Sequence, residues 1–101
     1  VIMPAYNAEK YIDETMQSII NQTHKNLEIL IANDGSKDST LEILKRYQAQ
    51  DSRIVIDDHE NMGISKTINR LTRMAKSEIV VRIDADDVMA LDRVEKQWRY
   101  F

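Results

Sequence analysis

The feature that most constrains this chain is the alternation of two hydrophobic periods along its length. Short apolar runs occur at Val1–Met3, Leu27–Ala32, Ile54–Ile56 and Ile79–Ile83. Runs of this length, nearly continuous in apolar residues, are the pattern of strands covered on both faces. Between and after them, apolar residues recur at helical spacing: Ile12, Met16, Ile19 and Ile20; then Leu41, Leu44 and Tyr47; then Ile64, Ile68, Leu71 and Ala75; then Leu91, Val94, Trp98 and Phe101. The resulting order, strand and helix four times over, predicts an α/β fold with a mostly parallel sheet and alternating helices.

Local signals set the expected boundaries. Pro4 stops the first strand, and Asn7 is placed to cap a helix over residues 8–21. The sequence NDGS (Asn33–Ser36) reads as a turn. STLE (Ser39–Glu42) matches a capping box that opens the second helix. The polar run Asp57–Gly63 reads as a loop, and the Ile79–Ile83 strand delivers the chain to Asp84, Asp86 and Asp87.

Composition narrows the function classes. The 101 residues suffice for one domain and one modest core, and residues 1–101 read as a single partial domain. A net charge of −3 with no dense Lys/Arg run excludes an obvious nucleic-acid surface. There is no cysteine, which excludes disulfides and thiolate metal sites and fits a reducing compartment, hence a cytoplasmic location. The apolar runs are far shorter than the ~20 residues that span a bilayer. Association with the cytoplasmic face of a membrane stays open for a longer protein. The chain opens on Val1 rather than Met, and the stripe ending in Trp98 and Phe101 stops with the chain. Both imply a truncated domain, and the stripe is a candidate surface for homo-oligomers.

In parallel α/β sheets, ligands bind at the carboxyl ends of the strands. Four polar segments fall there: Pro4–Asn7, Asn33–Ser36, Asp57–Gly63 and Asp84–Asp87. Only Gly35 and Gly63 are glycines, so no glycine-rich phosphate loop exists, and a divalent cation on carboxylates is the usual substitute. An EF-hand loop starting at Asp84 fails where Val88 and Met89 replace an oxygen ligand and the required glycine. The pattern D-x-D-x-[TV] of haloacid-dehalogenase-like phosphatases fits Asp84–Val88. In those enzymes the motif lies on the first strand of the domain, whereas here 14 residues follow Asp87.

VIMPAYN, SIINQTHKNLEILIANDGSKDST, NMGISKTIN and EIVVRIDADD together resemble the successive opening motifs of family 2 glycosyltransferases with the GT-A fold, a Rossmann-like architecture. The match runs through almost the whole chain. It implies a nucleotide-diphosphate sugar as donor, most simply a UDP-sugar, and transfer with inversion to a glycan, lipid or protein acceptor. By this resemblance Tyr6 lies against the base, with Ala5 and Asn7 shaping its loop, and Asp34 accepts a hydrogen bond from the base. An aromatic face suits a base, and a carboxylate, being acceptor-only, selects a ring N–H. Asp84 and Asp86 correspond to the DXD motif, Asp84 at the ribose or the metal and Asp86 on Mn²⁺ or Mg²⁺. Asp87 is a candidate contact to the donor sugar. Asn33 stands where the family usually carries an acid, and Ile68 and Leu71 depart from the family's pattern, so no catalytic role is carried into that helix. The general base, usually a carboxylate, is expected beyond Phe101.

Arg82, a charge inside an apolar strand, either neutralises part of the acidic cluster or faces solvent. His24 and His59 lack metal-ligand spacing and are expected at the surface. A non-catalytic nucleotide-binding or interaction module is the alternative to an enzyme.

Overall fold

A computed structural model describes residues 1–76 and 80–99. Its elements are β1 (Ile2–Ala5), α1 (Ile12–Ile20), β2 (Ile29–Asp34), α2 (Thr40–Gln50), β3 (Ile54–His59), α3 (Ile64–Met74) and α4 (Arg93–Trp98). The three strands form a parallel sheet in the order β1-β2-β3. On the free side of β1 the chain returns at residues 81–83. Ile2 N–H donates to the Val81 carbonyl at 2.8 Å, and Ile83 N–H donates to the Ile2 carbonyl at 3.1 Å.

The side-chain period of β2 explains why helices lie on both faces of the sheet. All six residues of the strand are buried. Ile29 and Ile31 join the larger core with Ile12, Met16 and Ile19 of α1 and Ile43 and Leu44 of α2. Leu30 and Ala32, one residue out of phase, join Leu71 of α3 and Ile2 on the opposite face. Successive strand side chains point to opposite faces, so one continuous apolar run supplies both cores. Each buried Ile or Leu contributes about 1.5–3 kcal/mol relative to exposure.

Several expected boundaries shift. β2 runs on through Asn33 and Asp34, and β3 through Asp57, Asp58 and His59, because the ladder is made by the main chain: Asn33 pairs with Asp58 and Asp34 with His59. Polar side chains do not interrupt such pairing when they find partners. Asn7 is not a helix cap. Helix α1 starts only at Ile12, and Asn7 sits in the left-handed region with φ 47°. Ser39 occupies the cap position of α2 without a side-chain hydrogen bond. Asp38 caps instead, its Oδ1 accepting from Thr40 N–H at 3.0 Å and from the Thr40 hydroxyl at 2.5 Å. The fourth strand is present in the described residues as a single bridge, Ile2 to Arg82, and Ile79 lies outside them. In the last stripe Val94 is buried, but Leu91 and Trp98 are more than half exposed; Phe101 lies outside the described residues.

Candidate functional site

The loops that follow β1 and β2 are stitched together by side chains. Asn7 N–H donates to Ser36 Oγ at 3.0 Å, and Lys37 N–H donates to Asn7 Oδ1 at 2.8 Å. One asparagine therefore closes a ring between two strand ends. Its positive φ is one that Asn tolerates better than most residues. Ala8 N–H donates to Thr40 Oγ1 at 2.9 Å, which ties the same loop to the start of α2.

Asp34 is the last residue of β2 and is only 5% exposed. Its Oδ1 accepts from Met62 N–H at 2.8 Å, and its carbonyl accepts from Asn61 Nδ2 at 3.1 Å. The loop before α3 thus folds over the end of β2. Gly35 makes that approach possible. Its φ is +71°, and a Cβ added there would lie 2.6 Å from the Asn61 backbone nitrogen.

His59 is not a surface histidine. Its side chain is 11% exposed, with Nδ1 3.5 Å from Asp34 Oδ1 and Nε2 3.8 Å from Asp57 Oδ2. Nδ1 also lies 2.9 Å from the Glu60 carbonyl, which can only accept, so the ring hydrogen is assigned to Nδ1. Nε2 is buried without a partner. Arg70 of α3 pairs with Asp57 through Nε and Nη2. Asn33 donates from Nδ2 to Asp58 Oδ1 at 2.9 Å. This contact accounts for the amide at position 33. An acid there would set two carboxylates face to face across the strand pair.

The acidic segment is arranged differently. Extended backbone would send Asp84 and Asp86 to one side by alternation. Instead the chain turns at Ala85–Asp86, and Asp87 N–H donates to the Asp84 carbonyl at 3.0 Å. The turn brings carboxylate oxygens of Asp84, Asp86 and Asp87 within 4.8 Å of one another. Arg82 Nη2 stands 3.4 Å from Asp84 Oδ1, and both side chains are about half exposed, so the arginine offsets part of the cluster's charge.

These pieces meet at one cleft of about 400 Å³ at the carboxyl ends of the strands. Pro4, Ala5, Tyr6, Asn7, Asp34, Asp84 and Asp86 line it. The volume falls in the ~300–1,000 Å³ range of small-molecule sites. Asp87 belongs to the carboxylate cluster without lining the cleft. Three lining residues were not anticipated: Ala8, Tyr11 and Ile64. Tyr11 and Ile64, each 55% exposed, line the same cleft as Tyr6. The available signal was Tyr11 itself, an aromatic immediately before the first buried helical residue. Ile64 carried no signal, since it fits the helical period of the core. The three carboxylates form an all-oxygen donor set that suits a hard divalent cation such as Mn²⁺ or Mg²⁺.

The family model described as glycosyl transferase family 2 matches residues 1–101. The chain is 44% identical to an uncharacterized glycosyltransferase of Haemophilus influenzae, over 95% of this chain and 30% of that protein. TarS of S. aureus in complex with UDP-GlcNAc superposes with a TM-score of 0.89 at 28% identity, over 98% of this chain and 29% of that one. The mannosyltransferase PcManGT from Pyrobaculum calidifontis, in complex with GDP-Man and Mn²⁺, gives 0.80 at 28% identity, over 92% and 29%. The chain thus spans about a third of the length of these relatives. The expected GT-A architecture is what the parallel sheet and these superpositions show, and the chain belongs to the family 2 glycosyltransferases.

Proposed function

We propose that this chain is the nucleotide-sugar-binding part of a glycosyltransferase that moves a sugar from a nucleoside diphosphate, with inversion, onto an acceptor hydroxyl. The observation that carries the reading is the single cleft shared by Tyr6 and Asp34 at one end and Asp84 and Asp86 at the other. An aromatic and a buried carboxylate are what a base requires, and clustered carboxylates are what a metal-bound diphosphate requires.

In this reading Tyr6 stacks on the base and Asp34 accepts the imide N–H of uracil. Asp34 is held for that task by Met62 N–H, which donates to Oδ1. Ala5 and Asn7 shape the loop, and Asn7 acts by locking the two strand ends rather than by capping a helix. Asp84 and Asp86 would hold Mn²⁺ or Mg²⁺, and Asp87, in the same cluster but outside the cleft lining, is the candidate contact to the donor sugar. When bound, the cation supplies Lewis-acid stabilisation of negative charge on the departing diphosphate. The described residues present no assigned general base, and we place that carboxylate in a following segment. The absence of cysteine supports a cytoplasmic site of action. Among the described residues no helix is long and apolar enough to cross a membrane. The exposed Leu91 and Trp98 support self-association through α4.

A second donor class is favoured by one relative, the mannosyltransferase solved with GDP-Man. Guanine also presents a ring N–H to a carboxylate. Calorimetric titration with UDP and GDP, each with and without Mn²⁺, tests both. Binding of UDP that strengthens with Mn²⁺ and weakens again with EDTA is the expected result. A preference for GDP would keep the site and change the donor. Equal binding of UDP with and without divalent ions would remove the metal role.

A further inference from the structure

The stretch TMQSIINQ (Thr15–Gln22), the second half of α1 and the turn after it, carries polar residues that the site described above does not use. Thr15, Ser18 and Gln22 are spaced i, i+3, i+7, one stripe of the helix and the turn that follows it, and all three are buried. Buried polar groups on a helix need partners. Here the partners are backbone atoms of the segment that holds the acidic turn. Thr15 Oγ1 donates to the Ala85 carbonyl at 2.9 Å. Ser18 Oγ donates to the Thr15 carbonyl at 2.7 Å, which leaves its lone pairs for Met89 N–H at 3.0 Å. Gln22 is fully buried, and its amide is fully used. Nε2 donates to the carbonyls of Ser18 at 2.9 Å and Ala90 at 2.7 Å, and Oε1 accepts from Val94 N–H at 3.1 Å.

The last contact supplies something that α4 lacks. Asp92 stands at its N-cap with no side-chain hydrogen bond, so the Val94 N–H in the first turn has no cap of its own. Gln22 caps it from another helix. Between residues 84 and 92 the chain has no strand or helix hydrogen bonds to hold it. Its place relative to the sheet is set by the burial of Ala85 and Met89 in the larger core, by this stripe, and by Thr23 N–H, which donates to the Leu91 carbonyl at 2.7 Å.

We propose that Thr15, Ser18 and Gln22 are positioning residues for cation binding, fixing the spacing of Asp84, Asp86 and Asp87 through the backbone at Ala85 and in the segment that follows them. This inference rests on the metal reading of the acidic turn. Three exposed carboxylates bind a cation well only if the turn is already in place, and outer supports of metal ligands typically change affinity by about 10–100-fold.

The test is Gln22→Met in the intact protein, a change that keeps length and removes every hydrogen bond. UDP affinity is measured by calorimetry with and without Mn²⁺, and amide exchange is followed at Met89 and Val94. The expected result is that the gain in UDP affinity from Mn²⁺ drops about tenfold, while metal-free UDP affinity stays unchanged. Exchange at Val94 accelerates. Ser18→Ala should do the same more weakly, with faster exchange at Met89, and serves if Gln22→Met does not fold. A folded Gln22→Met or Ser18→Ala protein with the full Mn²⁺ gain would overturn the inference alone. Absence of any Mn²⁺ gain in the unsubstituted protein would overturn the metal reading and this inference with it.

Discussion

The two ends of the cleft are built on opposite plans. The Asp34 end is made inside the sheet. Asp34 is the last residue of a fully buried strand, its carboxylate is tied to Met62, and its neighbours His59 and Asp57 are covered. The Asp84–Asp87 end is made outside regular structure, from exposed carboxylates on a turn that α1 holds from behind. A rigid, desolvated carboxylate can discriminate one hydrogen-bond donor from another, since a wrong partner leaves a buried charge unpaired. An exposed cluster discriminates little by itself but can receive a cation together with the phosphates that complete its coordination. Substitutions at the first end should therefore cost stability, and those at the second should cost cation-dependent binding only.

The largest effect is expected at Gly35. Alanine there combines a left-handed φ with a contact 2.6 Å from the Asn61 backbone. Strain and overpacking together should cost about 3 kcal/mol or more, read as a lowered midpoint of chemical denaturation. Near-native stability for Gly35→Ala would mean that the base end is as deformable as the acidic end.

Asp34→Ala comes next. It leaves Met62 N–H without its acceptor, which should cost about 1–3 kcal/mol of stability. It should also erase the preference for UDP over CDP, about tenfold in the unsubstituted protein for a hydrogen bond to a charged group. Retention of that preference would take Asp34 out of base recognition.

Asp86→Asn should do the reverse. Stability stays within about 0.5 kcal/mol of the parent, as for most exposed positions, while most of the Mn²⁺ gain in UDP affinity is lost. Asp84→Asn should weaken the gain less, because Arg82 already offsets part of its charge, and Asp87→Asn least. A destabilised Asp86→Asn protein would blur the contrast between the ends.

The smallest effect concerns acid. At the end of α2, hydrogen bonds from Arg53 hold the Asp51 carboxyl below its ordinary value, against the opposing effect of burial. A lowered folded-state value means that its contribution is present above the ordinary carboxylate range. The contribution is lost as pH falls through the folded-state value. Asp51→Asn should flatten the acid limb of a stability–pH curve slightly and leave UDP binding unchanged. An unchanged limb would show that this pair is a minor term even locally.

The element order, the parallel sheet and the residues that reach its rim could be read from the chain alone. Period 2 and period 3.6 report which face of an element is apolar, and those faces are where Ile31, Leu44 and Leu71 are found. Tyr6, Asp34, Asp84 and Asp86 were legible as rim residues because they fall in the short segments that follow apolar runs. Depth and partners were not legible. The chain carries no local mark that β2 and β3 continue through Asn33–Asp34 and Asp57–His59. Main-chain pairing with the neighbouring strand extends them, and their polar side chains find partners distant in sequence, Asn33 at Asp58 and Asp57 at Arg70. Ile64 obeys the core period yet is 55% exposed and lines the cleft beside Pro4 and Ala5 at the carboxyl end of β1. Thr15, Ser18 and Gln22 look like the polar side of an amphipathic helix. Only the return of residues 81–94 against α1 turns that side into an interior. Local pattern determined what each segment could become. The contacts between distant segments decided which polar groups are buried, because a buried hydrogen bond needs a partner that sequence spacing does not show.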